Sequence, residues 1–429
     1  MRLARWVATA VALSLAVTAC GNGSSNDSDG PVDLRVVVWS GNEAHLKILN
    51  DLAAAFVKAN PDVASVKVES TPSGQNYRTV LTTQISGGDS PDVGWLGEGD
   101  APDFIAAKGL VDLGPTVRGD ASYNHGDLIS SQLGVWAPGD KVYGIPFSTS
   151  PAGVFYNADM FARARLPTPD EMVKNGTWTW ENLAAVAKKL HDTLGVGGFY
   201  IGPYQKFDDQ WISLSHLWAG FDAAPWSADG TTCTFTDQKM VDAMTFLHKM
   251  ITVDKGYPGP GVAADFAAGQ AGMISTYIST AVQLKQASFK WGLVPQPTGP
   301  AGSSVVIGQS AFVAFAGSKH PEQAAKLVAF LTNEESSKQL IQYFPSIRRS
   351  LVTADALSAA NPLLSKEQLQ AVVVDGITNG KRSPVHTNMG EIAPEVRANL
   401  EPLWKPGADV AAVMKKTCDA ITPLLAKTR

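Results

Sequence analysis

From Leu34 onward the chain alternates short apolar runs with longer amphipathic ones, and this alternation limits its fold more than any other feature. "LRVVVW" is a continuous apolar run, as in a strand buried on both faces. "EAHLKILNDLAAAFVKAN" follows, with Leu46, Leu49, Ala53, Phe56 and Val57 on one helical stripe, and Pro61 ends it. "SVKVES" reads as a strand, "QNYRTVLTTQIS" as a helix stopped by Gly87 and Gly88, and "PDVGWL" as a third strand. Strands and helices in this rhythm build βαβ units around a largely parallel sheet.

The rhythm then restarts. "KVYGIPF" and "AGVFYN" are strand-like, and "TWENLAAVAKKL" is a helix capped by Thr179. "FAAGQAGMIS" and "WGLVPQP" read as a short helix and two strands, and "VVIGQSAFVAF" as a hairpin or strand pair. Pro321 opens a helix and Asn333 caps another; "PEVRANLEPLW" and "ADVAAVMKKTCDAI" are further amphipathic stretches. A chain of 429 residues exceeds what one core usually organises, so two units are expected. No Gly/Ser/Pro linker separates them, which predicts that the chain crosses between the units more than once.

The N-terminus reads differently. Arg2 and Arg5 precede an apolar run that is too short to span a bilayer, in the order of a secretory signal. Val17-Thr18-Ala19-Cys20 resembles the bacterial lipoprotein box, with Val17 in place of the commoner leucine. The resemblance implies a signal peptide over 1–19 and a lipid-bearing Cys20. Residues 20–30 are polar and would form a tether with a reach of ~18 Å. Without the leader the chain carries 33 basic and 40 acidic residues, a net charge of −7. That balance, with no long basic run, makes nucleic acid or anionic headgroups poor partners. Cys233 and Cys418 remain once Cys20 is set aside. Outside the cytoplasm an even remainder favours one disulfide, the alternative being two separately buried thiols.

Catalytic and metal motifs are missing. The seven histidines are scattered with no i, i+4 pair, and neither HExxH nor CxxC occurs, so no metal is expected. "GITNGKRS" resembles a phosphate loop only briefly: its spacing is short, and Arg382 stands where Ser or Thr is required. No dinucleotide fingerprint and no GxSxG elbow occur either. No cofactor and no enzymatic activity are expected.

"GDKVYGIPFSTSPAGVFYNADMFARARLPTPDEMVKNGTWTWENLAAVAKKL" resembles the central signature of the sugar-binding proteins of ABC importers, the maltose-binding-protein-like family. Asn157, Thr179 and Trp180 carry the match, and "FVKANPDV", "GGDSPDVGW", "FAAGQAGMISTY" and "FPSIRRSLV" extend it in the same order over nearly all of 34–429. The resemblance implies a two-lobed periplasmic-binding-protein fold with a ligand cleft between the lobes. Mapped by phrase, the N-terminal lobe would be 31–148 and 296–343, and the C-terminal lobe 149–295 and 344–429. It also implies a monomer that captures a di- or oligosaccharide by hinge closure and delivers it to ABC permease subunits at the membrane. A binder of a glycerophosphodiester or polyol, a surface glycoside hydrolase and a sensor that signals to a receptor are the alternatives.

A sugar presents hydroxyls and an apolar ring face, so its site needs carboxylates, amides and aromatic planes. Asn42 and Glu43, in the loop after the first strand, either contact ligand, as the resemblance implies, or cap the following helix. Glu98, among glycines after the third strand, suits hydroxyl binding. Ser150 stands where maltose binders carry an acid, which argues against maltose itself. Residues 199–226 concentrate aromatics, of which Trp226 is the stacking candidate, with Asp209 beside it. Tyr277 is a second stacking candidate, and Gln309 is a polar residue inside an apolar run. Arg348 and Arg382 would donate forked hydrogen bonds to vicinal hydroxyls or to a phosphate.

Overall fold

The computed structural model describes residues 30–71, 75–303 and 305–427; the leader and Cys20 lie outside the described residues. The strands are β1 (Val32–Val38), β2 (Val63–Ser70), β3 (Val93–Gly97), β4 (Ile145–Asn157), β5 (Gly197–Ile201), β6 (Ala271–Tyr277), β7 (Trp291–Pro295), β8 (Val306–Ala314) and β9 (Lys381–Arg382). They are ordered β2-β1-β3-β8-β4-β6-β5, with β7 also on β4 and β9 on β8.

β4 belongs to both halves. Its 13 residues span ~43 Å at the usual rise per residue. Ile145 to Pro151 pair with β8, and Ala152 to Asn157 pair with β6 and β7. The chain leaves the first half along β4 and returns along β8, so these two strands run antiparallel. β1–β2, β1–β3 and β5–β6 are parallel, as the alternation predicts, whereas β3–β8, β4–β6 and β4–β7 are antiparallel. The expected parallel character therefore holds within the βαβ units, whereas the crossing strands pair antiparallel with those units and with each other, and only the two-residue β9 lies parallel to β8. "VVIGQSAFVAF" is one crossing strand rather than a pair, and residues 266–269 are a turn rather than a helix.

Apolar side chains collect on two sides of the crossing. Leu34, Val36, Val38, Phe56, Trp95, Phe147, Phe312, Leu327 and Ile347 share one core. Val154, Phe155, Trp180, Leu190, Phe199, Trp211, Trp218, Met244 and Ile421 share the other. The helix Glu43–Ala59 packs Leu49, Leu52, Ala53 and Phe56 onto the first sheet at three- and four-residue spacing. Trp180–Leu194, capped by the Thr179 hydroxyl, buries Leu183, Val186, Ala187 and Leu190 in the second. Cys233 and Cys418 are bonded within the second half, 185 residues apart in sequence. Closing so long a loop constrains the unfolded chain by on the order of 5 kcal/mol in the chain-entropy account.

Residues 344–350, expected in the second lobe, pack on the first instead. Ile347 lies in the first core, and the backbone pairs with Ile129 and Asp127. Arg348 is fully buried there. Its Nε donates to the Thr332 carbonyl at 3.0 Å and its Nη2 to the Tyr123 carbonyl at 3.0 Å. Asp127 lies 3.5 Å from Nη1, and the guanidinium sits over the Tyr123 ring. The expectation that Arg348 contacts ligand is therefore corrected: its donors face inward, to carbonyls left open at the end of the helix Pro321–Leu331 and in the loop at 123–124. Arg348→Ala should lower unfolding free energy in urea by ~3–5 kcal/mol, as expected for breaking a buried charged network, and leave ligand affinity unchanged. A loss below 1 kcal/mol combined with abolished binding would contradict this assignment.

Candidate functional site

A cleft of about 810 Å³ opens where β4 and β8 cross between the two cores. That is within the usual range for small-molecule sites. Its first-lobe wall is aromatic. Trp39 follows β1, Trp95 lies on β3, Phe147 on β4, and Tyr343 and Phe344 follow the helix Glu334–Leu340. Trp95 stacks on Phe147 at 4.7 Å between ring centres, Trp39 meets Trp95 edge-on at 5.1 Å, and Phe344 meets Phe147 edge-on at 5.3 Å. Each ring holds the next, so the wall is fixed before any ligand arrives.

The opposite wall sets Asp209, Gln210, Ser213, His216, Tyr277 and Ser383 among apolar neighbours such as Pro203, Ile212, Val385 and Met389, and Ser150 lies at the crossing itself, opposite Gly308. Asp209 lies 3.5 Å from Arg397. Tyr277 reaches in from β6 above Gly308 of β8, where a Cβ would fall 2.8 Å from the phenol oxygen. The glycine makes room for the ring. Burial and the nearby Glu98 push the Tyr277 phenol up, so it is a neutral donor.

Glu98 sits at the cleft floor and is 7% exposed. Its Oε1 accepts the Gln309 N–H at 3.2 Å, and the Ser383 hydroxyl bonds to it as well. Burial pushes its pKa up to about 8, against the pull of the Gln309 N–H and the Arg382 charge. At neutral pH the carboxyl is therefore mostly protonated, and it can donate as well as accept. Gln309 also lines the cleft, but its side chain serves the framework. Its Nε2 donates to the Gln132 carbonyl at 2.9 Å and to Thr149 at 3.2 Å, and its Oε1 accepts from Trp136 at 3.2 Å.

Four further expectations are corrected. Asn42 caps the helix Glu43–Ala59, accepting from the amides of Ala44 and His45, and Glu43 is an exposed first-turn acid; neither lines the cleft. The capping reading prevails because the helix starts immediately after the loop. Trp226 is buried against Trp211 and His386, and it bridges to Cys233 beside the disulfide. Phe199, Tyr200, Tyr204, Trp211 and Trp218 are likewise core residues, so the aromatic segment fills the second lobe. Arg382 lies behind the cleft floor, its guanidinium packed where Gly134 leaves no side chain. Sequence reasoning missed the aromatic wall and His216. Trp39 and Trp95 read as members of apolar strand runs, and only Trp39's place at a strand end hinted otherwise.

Arg78, from the helix Gln75–Ser86, is the one lysine or arginine among the described residues lining the cleft, and Asp100 and Asp103 pair with it. Asp103 also bridges the lobes: its Oδ1 accepts the backbone N–H of Asn388 at 2.8 Å, at the start of the helix Met389–Leu400.

The Glu98 environment has a measurable consequence. The folded chain keeps this proton to about pH 8, whereas the unfolded chain loses it near the model-peptide value of 4.5. The folded state binds more protons in that interval, so Glu98 makes stability fall as pH rises through it. Glu98→Gln should flatten the decline in unfolding free energy between pH 5 and pH 8. An identical decline in the variant would show that the carboxyl is ionised throughout.

Residues 40–338 match the family of bacterial extracellular solute-binding proteins. A binding protein of Brucella abortus (strain 2308) is 25% identical over 346 residues, which cover 78% of this chain and 79% of that one. In three dimensions the chain is similar to an ABC substrate-binding protein of Listeria monocytogenes in complex with cycloalternan. The TM-score is 0.78 at 22% identity, over 93% of this chain and 100% of that one. It is also similar to UgpB from Mycobacterium tuberculosis in complex with glycerophosphocholine, with a TM-score of 0.75 at 21% identity over 92% and 98% of the two chains. With that match over most of its length, and with two cores meeting at one cleft, the chain belongs to the bacterial extracellular solute-binding proteins.

Proposed function

We propose that this protein is the substrate-binding component of an ABC carbohydrate importer, and that it captures a di- or oligosaccharide by hinge closure and hands it to membrane permease subunits. The observation that carries the reading is a cluster of aromatic rings on one side of a cleft whose other side presents hydroxyl, carboxyl, amide and imidazole groups among apolar ones. Sugar rings stack on the first, and their hydroxyls exchange hydrogen bonds with the second. The cycloalternan ligand of the Listeria protein is in keeping with this.

A phosphodiester ligand, as in the complex of the Mycobacterium protein, is the second reading. It calls for a cation free to meet the phosphate. Arg78 is paired with two aspartates, and neither Arg348 nor Arg382 lines the cleft, which favours the neutral sugar.

A thermal-shift panel of maltose, maltotriose, trehalose, raffinose and glycerophosphocholine tests the reading. A sugar at a hundred times its Kd should add ~2.7 kcal/mol to stability. A response to glycerophosphocholine alone would replace the carbohydrate reading with the phosphodiester one. In calorimetry with the responding sugar, Trp39→Ala should lose ~1–3 kcal/mol of ring burial, a roughly five- to hundredfold weaker Kd. Unchanged affinity would remove the aromatic wall from the ligand.

We further propose that Cys20 is lipidated, which would hold the protein at the outer face of the cell membrane as a monomer. Among the described residues no helix is long and apolar enough to cross a bilayer, so anchoring rests on the N-terminal motif. Cys20→Ala should move the protein from the membrane fraction to the soluble fraction with its binding intact. A variant that stays with the membrane would exclude the lipid anchor.

A further inference from the structure

His216 lies in the short helix Ser215–Trp218, is buried, and lines the cleft. Its Nδ1 is 2.8 Å from the hydroxyl of Ser275 on β6. The same hydroxyl is 2.6 Å from Nε2 of Gln296, just past β7. Gln296 Oε1 is buried without a partner among the described residues. These three side chains form a chain whose proton positions can be worked out.

The Gln296 amide comes first. As placed, it turns its NH₂ group to Ser275 and leaves a carbonyl oxygen bare. The reverse orientation would bury two unpaired N–H bonds, and orphaned buried donors are rarer than under-satisfied carbonyls. Gln296 is therefore the donor. Ser275 has one hydrogen and two lone pairs, and one lone pair is taken by Gln296. If His216 Nδ1 carried a proton, it would occupy the second lone pair and strand the hydroxyl hydrogen in a fully buried site. If Nδ1 is bare, the hydroxyl donates to it and every polar hydrogen between the three groups is paired. The neutral imidazole then carries its proton on Nε2, which makes no hydrogen bond within the described residues. Burial keeps the ring neutral, with its pKa held down to about 4.

We propose that His216 is a specificity-determining residue of the cleft, locked by the Gln296–Ser275 chain as a neutral Nε2–H donor that meets an oxygen acceptor of the ligand. Such a group selects a hydroxyl, ring or glycosidic oxygen and turns away an ammonium or amide N–H at the same place. The locked tautomer follows from the geometry of the three side chains, whereas the identity of the acceptor as a sugar oxygen rests on the carbohydrate reading above.

Long-range ¹H–¹⁵N correlation spectra of the ligand-free protein at pH 7 test the first part directly, with the His216 signals assigned by their loss in His216→Gln. The expected pattern is an unprotonated Nδ1 and a protonated Nε2. The opposite tautomer, or a rapidly averaged ring, would overturn the proposal, and the wild-type spectrum decides this whether or not any variant folds. In Ser275→Ala the ring should lose its fixed tautomer.

Calorimetry with maltotriose tests the second part. His216→Leu should bind at least tenfold more weakly, and His216→Gln, which keeps an N–H donor, should remain within about fivefold of wild type. Equal affinity in His216→Leu would overturn the role in binding. A wild-type protein with the locked tautomer that ignores every sugar of the panel would overturn the carbohydrate reading and leave the donor standing.

Discussion

The cleft depends on the antiparallel pairing of β4 with β8, at which β4 passes from one half of the molecule into the other. β4 and β8 pair from Ile145–Phe312 to Pro151–Ile307, and beyond Pro151 β4 continues alone into the second sheet. Because the backbone of β4 serves both sheets, neither lobe can shift without bending this strand. Gln309 stiffens this crossing from within. Its side chain ties β8 to Gln132, Thr149 and Trp136, and its backbone exchanges two hydrogen bonds with Glu98. Gln132 in turn donates to the Ile377 carbonyl, joining the first lobe to the segment that leads into β9. A buried network with its donors engaged is rigid, since breaking any one bond strands a polar group. The floor of the cleft is thus set by the fold, and its walls carry the recognition.

Charge is managed the same way throughout the site. Arg348 meets backbone carbonyls and Asp127, Arg78 meets two aspartates, Asp209 is beside Arg397, and burial favours the neutral forms of Glu98 and His216. What remains in the cleft is an array of neutral or compensated hydrogen-bonding groups facing aromatic rings. This suits an uncharged polyhydroxyl ligand, because desolvating such groups costs less than exposing a free charge to a site without a counter-charge.

The fold was legible because its signals are local. Apolar runs, caps such as Thr179 and Asn333, and the Pro61 stop mark elements whatever their partners. The direction of β4 and β8 was less legible, since it depends on where the chain crosses and returns. For the site, position on a strand end was informative for Glu98 and Tyr277, and Ser150, Asp209 and Gln309, chosen on other grounds, line the cleft as well. Residue type without position misled. Trp226 and Arg348 have the chemistry of ligand contacts, yet packing placed both inside. Trp39, Trp95 and Phe147 were read only as members of strand runs, although in this arrangement the core's edge is the cleft wall. His216 gave no signal at all, because its partners Ser275 and Gln296 are distant in sequence.

The lobes also touch directly, and this bears on how a ligand closes them. Asp103, tied to Arg78 in the first lobe, accepts the Asn388 N–H of the second. A hydrogen bond to a charged group contributes ~1.5–3 kcal/mol, about ten- to a hundredfold in an open–closed equilibrium. Taking such an equilibrium from mostly open to mostly closed needs ~5.5 kcal/mol of differential affinity. If the contact forms only on closure, it would supply only part of the needed free energy, and a ligand would have to supply the rest. A ligand held by the aromatic wall alone would bind open and closed forms equally and shift nothing, however tightly it stacked. Only groups brought to it from the second lobe, Asp209, Tyr277 and His216 among them, can make the closed form preferable. Under the proposed carbohydrate function, stacking would therefore set how strongly a sugar is held, and the groups of the second lobe would set whether holding it closes the protein.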